Sequence, residues 1–367
     1  MFLTVIPISK PLVDEIEIKN VVEVLKSGML ASGEWVKRFE EEFAKYIGVK
    51  YAVATTSGTV ALDIALKALG MKSGDEVIVP DFTFIATANA VLFQNAKPVF
   101  ADVDEKTFNI DPDDLLEKIT PRTKAVIGVH LFGHPFDVKA IQEICEDHNL
   151  FLIEDCAQAH GAEYEGKKVG CFGTVSCFSF YATKNMTTGE GGMVLTNGRE
   201  IERRLRLIIN HGQDKKYLHT VLGYNYRMTN IQAAIGIAQL RKLEDFNEKR
   251  IRNAEYLNRH LKVALETPYK KKDVKHVYHQ YVVKIKEDFP MKRNEFINYL
   301  SEKGIGIAIH YPLPIHKQLL YRKLGYPDDL CPVSTELSKV VLSLPVHPAL
   351  TDDDLRYICE TINDVGD

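Results

Sequence analysis

From about Tyr51 to Thr196 the hydrophobic pattern switches back and forth between the period of a strand and that of a helix. Short apolar runs at Tyr51–Thr55, Glu76–Val79, Val99–Asp102, Ala125–His130 and Leu150–Glu154 read as strands. Helical patterns lie between them: Val60–Leu69, with Ala61, Ile64, Ala65 and Ala68 on one face, then Ile85–Asn95, Pro112–Ile119 and Val138–His148. Ser176–Ser179 and Gly192–Leu195 add two further strands. Strands that alternate with helices are joined by crossovers, which implies a mostly parallel sheet with helices on both faces. The expected class is therefore α/β, and ligands are expected at the carboxyl ends of the strands.

The pattern changes after Thr229. A long helical stretch runs from about Asn230 to Leu261, followed by a strand pattern at Tyr278–Ile285, a helix at Lys292–Glu302 and a strand pattern at Ile305–His310. With 367 residues and about 150 residues per domain, two domains are expected. We expect a large domain over residues 1–244 and a smaller α+β domain over 245–367, with the N-terminal segment packing on the smaller one.

A net charge of -4 gives no electrostatic pull toward nucleic acid or an anionic membrane. The run Lys270-Lys271-Lys272 reads as a solvated loop. No apolar stretch reaches the ~18 residues of a membrane span. The N-terminal run Met1–Pro7 lacks a basic flank and is broken by Pro7 and Pro11, so no signal peptide is expected. The six cysteines form no Cys-x-x-Cys pair, which disfavours zinc ribbons and points to a reduced, cytoplasmic setting. No metal site is expected.

Three features carry chemistry. Ser57-Gly58-Thr59 stands at a strand-to-helix junction, where unpaired amides and a partial positive charge suit a phosphate. The same residues could be a plain helix cap with a turn glycine. Asp155 ends an apolar strand, where a carboxylate needs a cationic partner or donors; it could also cap the next helix. Lys184 lies between the strand ending at Ser179 and the glycine-rich turn Thr187-Thr188-Gly189-Glu190-Gly191-Gly192. A desolvated lysine there can form a Schiff base; a surface loop lysine is the alternative. A phosphate cradle, a carboxylate and a lysine together are the parts that pyridoxal phosphate needs. Phe84, in Asp81-Phe82-Thr83-Phe84, could stack on a ring or pack in the core.

These motifs resemble those of the DegT-type sugar-nucleotide aminotransferases, fold type I pyridoxal-phosphate enzymes like aspartate aminotransferase. The resemblance runs through Gly33-Glu34-Trp35-Val36 with Phe39-Glu40, Ser57–Leu62, Phe82–Thr87, Glu154–Gln158 and Phe178–Asn185. It continues at Gly223–Met228, His310-Tyr311-Pro312 with His316, and Ser343–Pro348. The Lys184 motif with its Thr-Gly-Glu-Gly-Gly tail is the most specific of them.

The resemblance implies pyridoxal 5'-phosphate as cofactor and Lys184 as its internal aldimine and proton shuttle. It places Asp155 on the pyridinium nitrogen and Gln158 near the phenolic oxygen. Gly58, Thr59 and Ser179 would hold the phosphate, and Phe84 would cover the ring. Asn225 would reach the cofactor of a neighbouring subunit in a homodimer, with Arg227 beside it. His310, Tyr311 and His316 would face substrate, whereas His160 and His211 are read as structural. The implied reaction is ping-pong transfer of an amino group from glutamate to a nucleotide-linked keto-sugar, a 4-keto-6-deoxy hexose above all. Two relatives of the same fold compete: a keto-sugar dehydratase, in which the lysine is replaced by histidine, and a non-catalytic regulator. Lys184 disfavours the first; intact Lys184, Asp155 and Ser179 disfavour the second. No phosphate-binding loop of the Gly-x-x-x-x-Gly-Lys type, nor a Gly-x-Gly-x-x-Gly after a strand, points to an unrelated nucleotide-binding module.

Overall fold

A computed structural model describes residues 5–365. The start of the N-terminal apolar run discussed above lies outside the described residues.

Seven strands form the central sheet: β1 (Tyr51–Thr55), β2 (Glu76–Pro80), β3 (Lys97–Ala101), β4 (Thr123–Val129), β5 (Phe151–Asp155), β6 (Val175–Ser179) and β7 (Gly192–Thr196). Their order across the sheet is β1-β7-β6-β5-β4-β2-β3. Only β7 runs against the others; it pairs antiparallel with both β1 and β6. The strands of the parallel block are buried almost throughout, as a sheet covered on both faces requires. β3 lies at the edge, where Pro98 costs no hydrogen bond to a missing neighbour.

Eight helices precede or cover this sheet or lead away from it: α1 (Glu15–Ser27), α2 (Glu34–Ile47), α3 (Gly58–Ala68), α4 (Ala86–Phe93), α5 (Pro112–Glu117), α6 (Val138–Asp147), α7 (Arg199–Ile209) and α8 (Asn230–His260). α3 buries Ala61, Leu62, Ile64 and Ala65 in one core layer. Phe39 and Phe43 of α2 pack with Phe178 and Phe180 in the other. α1, α2 and α7 lie where no element was expected from the hydrophobic pattern. The α7 sequence, REIERRLRLII, carries so many charges that its apolar stripe is narrow.

A three-stranded antiparallel sheet follows, ordered β8 (Leu265–Glu266), β9 (Tyr281–Ile285) and β10 (Val341–Leu344). It shares a core with α9 (Arg293–Glu302) and a C-terminal helix, Asp352–Asn363. α8 opens with a capping box from Thr229 and Gln232. Its Ala233 and Ile237 pack in the core of the large sheet, while Ala254 and Leu257 pack in that of the small one. One 31-residue helix thus serves both cores, and positions 244 and 245 fall inside it. Ile6 joins the C-terminal core through a parallel bridge to Ile305.

The regular strand expected at Ile305–His310 does not form. The segment is extended but held only by isolated bridges, Ile6 to Ile305 and Ala308 to Ser343. No helix among the described residues is long and apolar enough to cross a membrane.

Candidate active site

β1, β4, β5 and β6, together with the loop after β2, end at one edge of the sheet around a cavity of about 490 Å³. Its walls include Gly58, Thr59, Phe84, Asp155, Gln158, Ser179, Lys184, His310 and Tyr311. Nine of the residues singled out in the sequence therefore meet in one place.

The cradle at β1 is built by exclusion. Ser57 caps α3, its hydroxyl accepting from the Val60 amide at 3.2 Å. Gly58 opens the helix against the end of β6. A methyl group at Gly58 would stand 2.6 Å from Cβ of Ser179, so a side chain there would drive the two elements apart. Glycine leaves the amides of the first helical turn and the Ser179 and Thr59 hydroxyls on one concave surface, a setting suited to an anion.

Asp155 is the last residue of β5 and is buried. Its Oδ1 accepts from the Ala157 amide at 3.1 Å, and its Oδ2 accepts from the Thr87 hydroxyl at 3.0 Å. Burial pushes its carboxyl above the ordinary range, while these two donors and the charge of Lys184 pull the other way. A cationic N–H arriving from the cavity would complete the set. Lys184 stands in the turn after β6, its amide donating to the Tyr181 carbonyl at 3.0 Å. Burial lowers its ammonium to about 8, opposed by Asp155. An amine so placed is a usable nucleophile near neutral pH.

Gln158 is held at both ends. Its Oε1 accepts from the Phe132 amide at 2.8 Å and its Nε2 donates to the Tyr311 hydroxyl at 3.0 Å. Phe84 leaves 55% of its surface exposed at the cavity. A large aromatic ring left open at a site is a face for a flat partner. His310 Nδ1 pairs with the Ser343 hydroxyl at 2.8 Å.

Phosphate cradle, buried carboxylate, depressed lysine and open aromatic face thus line one volume, and these residues fit pyridoxal phosphate.

Three expected residues lie elsewhere. His316 is fully buried behind the loop that carries Phe84. Its Nδ1 donates to Asp81 at 2.6 Å and its Nε2 to the Asp328 carbonyl at 3.2 Å, so no ring nitrogen is left for substrate. Its place as a substrate residue is corrected to that of a buried ion-pair partner. Asn225 is exposed and bridged to Asn210, outside the cavity of its own chain. Arg227 donates to the Asn210 side chain and forms a bridge to Thr55. His160 is buried against Phe178 and Phe180.

The structure also brings in residues the sequence did not flag. Thr87, Thr183, Tyr181, Glu190, His279 and Gln280 line the same cavity. Thr87 could have been suspected as a hydroxyl in the otherwise apolar first turn of α4. His279 carried no signal, because its contact with the cavity depends on how the C-terminal sheet docks.

The matches to known proteins agree with this geometry. Residues 11–363 match the model of the DegT/DnrJ/EryC1/StrS aminotransferase family. The chain is 40% identical over 363 residues to GDP-perosamine synthase of Escherichia coli O157:H7, covering 98% of each chain. It is 41% identical over 345 residues to dTDP-3-amino-3,6-dideoxy-alpha-D-galactopyranose transaminase of Aneurinibacillus thermoaerophilus, covering 94% of this chain and 93% of that one. The S. venezuelae DesV structure superposes with a TM-score of 0.90 at 36% identity, over 95% of this chain and 93% of that one. The fold is that of the fold type I pyridoxal-phosphate aminotransferases. The chain belongs to the DegT/DnrJ/EryC1/StrS aminotransferase family.

Proposed function

We propose that this aminotransferase moves an amino group from glutamate to a nucleotide-linked keto-sugar, with a 4-keto-6-deoxy hexose as the acceptor. The relatives named above act on GDP- and dTDP-linked sugars at nearly equal identity, which supports the substrate class and leaves the nucleotide to experiment. The observation that carries the reading is the meeting of Lys184 and Asp155 in one cavity with the N-terminus of α3.

Bound pyridoxal phosphate supplies a carbonyl carbon for amines and a ring that takes up the electrons left when a substrate carbon loses its proton. The chain's own residues do the rest. Gly58, Thr59 and Ser179 would hold the phosphate, and Phe84 would offer its exposed ring to the cofactor. Asp155, kept in place by Thr87 and Ala157, accepts the ring N–H and keeps that nitrogen protonated. Gln158 stands by the ring oxygen. Lys184 Nζ, as a neutral amine, would take the proton from the carbon of the amino donor and, in the second half of the reaction, deliver one to the carbon of the keto-sugar that gains the amine. His310 and Tyr311 face the substrate.

We also propose that the working form is a homodimer. Among the described residues, Lys184 is the single Lys or Arg on the cavity wall, which also holds the carboxylates Asp155 and Glu190. A cofactor phosphate, a diphosphate and the carboxylates of glutamate need more positive charge and more donors than that. Asn225 and Arg227 lie outside their own cavity and suit a neighbour's. The apolar surface nearby supports the pairing. On α1, Ile16, Ile18, Val22 and Leu25 are exposed, and Tyr217 and Leu222 are 81% and 71% exposed. The division into a large domain and a small one near residue 245 is part of the same reading, with α8 as the shared element. The six unpaired cysteines support a cytoplasmic setting.

The test is a panel of UDP-, dTDP- and GDP-linked keto-sugars incubated with glutamate and read by mass spectrometry. An aminated sugar with matching 2-oxoglutarate is expected. Turnover with no keto-sugar, or with glutamate replaced freely by any amine, would contradict the reading.

A further inference from the structure

His279 lies two residues before β9 and lines the same cavity as Lys184. It is almost wholly buried. A neutral imidazole can offer a donor or an acceptor at each nitrogen, and which one it offers depends on the partner at the other nitrogen. Here a chain of amides fixes the choice.

The chain begins at two carbonyls, which can only accept. Asn247 donates from Nδ2 to the His160 carbonyl at 2.8 Å, which leaves its Oδ1 as an acceptor. Asn185 donates from Nδ2 to that Oδ1 at 2.8 Å and to the Val277 carbonyl at 3.2 Å. The Asn185 amide therefore cannot be turned over, and its Oδ1 must accept. The atom that faces it is Nδ1 of His279, 3.1 Å away. Nδ1 thus carries the proton, and Nε2 keeps a free lone pair.

The charge around the ring supports the neutral form. Burial lowers its imidazolium well below the ordinary range, and the charges of Lys184 and Arg250 push the same way. Arg250 donates to the His279 carbonyl from α8 at 3.4 Å. A second proton on this ring would add to the positive charge of Lys184 and Arg250.

We infer that His279 is a specificity-determining residue whose Nε2 is a fixed hydrogen-bond acceptor for a hydroxyl of the sugar substrate. This rests on the keto-sugar and glutamate reading above. The two substrates differ in what they can offer such an atom. A sugar presents O–H donors. The carboxylates of glutamate present lone pairs only, which a lone pair repels. The one donor of glutamate, its amino group, is committed to the cofactor, so His279 favours the sugar half of the reaction. Asn185, next to Lys184 in the chain, is the positioning residue that sets the tautomer.

The experiment compares wild type, His279→Leu and His279→Gln as holoenzymes. Gln keeps an acceptor oxygen at comparable reach. The glutamate half-reaction is followed by the absorbance change of the bound cofactor. The sugar half-reaction uses whichever of the GDP-, dTDP- or UDP-linked 4-keto-6-deoxy hexoses wild type turns over, and the free nucleoside diphosphate serves as a binding control. His279→Leu is expected to raise KM for the sugar about tenfold, the worth of one neutral hydrogen bond. The glutamate rate and the affinity for the nucleoside diphosphate should stay within about twofold of wild type, and His279→Gln should recover most of the lost sugar affinity. Equal losses in both half-reactions, or an unchanged KM for the sugar in His279→Leu, would overturn the inference. A wild type that fails to react with glutamate would instead contradict the donor assignment.

Discussion

The Thr87 hydroxyl donates to Oδ2 of Asp155 at 3.0 Å, from the first turn of α4 to the end of β5. The contact ties the loop that carries Phe84 to the buried carboxylate that we propose holds the ring nitrogen of the cofactor. Hydrogen bonds to an ionised group are worth about 1.5–3 kcal/mol. Thr87→Val keeps the shape and removes the donor. The carboxyl of Asp155 should then rise further, and the rate of the glutamate half-reaction should fall at least tenfold with cofactor still bound. Stopped-flow absorbance checks it; an unchanged rate would show that Ala157 alone suffices.

Gly58→Ala places a methyl group 2.6 Å from Cβ of Ser179. The end of β6 or the start of α3 must move, and the phosphate cradle opens with it. We expect the affinity for pyridoxal phosphate to fall at least tenfold while the fold survives, since only one contact is overpacked. Titration of apoenzyme with cofactor, alongside circular dichroism, reads both.

Uptake of cofactor by apoenzyme should follow the state of Lys184. Burial lowers its ammonium to about 8 from an ordinary 10.5. The nucleophile is the neutral amine, so the rate should climb with pH and level off above about 8. A rate that keeps climbing beyond pH 10 would show an unshifted lysine. Lys184→Ala should lose the effect.

His316 tests how far motif resemblance can be trusted. Burial alone would lower its imidazolium, but the hydrogen bond and charge of Asp81 outweigh it and raise it above the ordinary value. The pair clasps the segment at Ile315–Lys317 to the end of β2 through Asp81, whose Oδ1 also accepts the His316 amide at 2.8 Å. Removing one partner of a buried ion pair typically costs about 3–5 kcal/mol. His316→Ala should therefore destabilise the protein by about that amount, with kcat/KM of the folded fraction close to wild type. Because the folded value is raised, this stabilisation is complete below the ordinary histidine pKa and fades as pH climbs through the raised one. A lost kcat/KM with unchanged melting would return His316 to the substrate side.

The α/β class was legible because parallel strands buried on both faces are continuous apolar runs, as at Glu76–Pro80 and Thr123–Val129. Asp155, Lys184 and the Ser57–Thr59 turn were legible because each sits where a strand of this sheet ends. What the sequence could not show depends on docking between elements far apart in the chain. His279 reaches the cavity only because β9 packs beside β10 and Asn185 bridges to α8 through Asn247. Thr87 matters only because α4 begins opposite the end of β5. The segment Ile305–His310 has a strand's pattern, yet its pairing partner is limited to single residues, Ile6 and Ser343. His316 has the residue type of a substrate contact, and Asp81 claims it.

Borohydride reduction of the holoenzyme, followed by peptide mass spectrometry, tests the central claim most directly. The expected result is the mass of reduced cofactor on the peptide that holds Lys184 and on no other, with loss of the visible absorbance. Cofactor mass on a different lysine, or none on any peptide of a protein that had bound the cofactor, would contradict it.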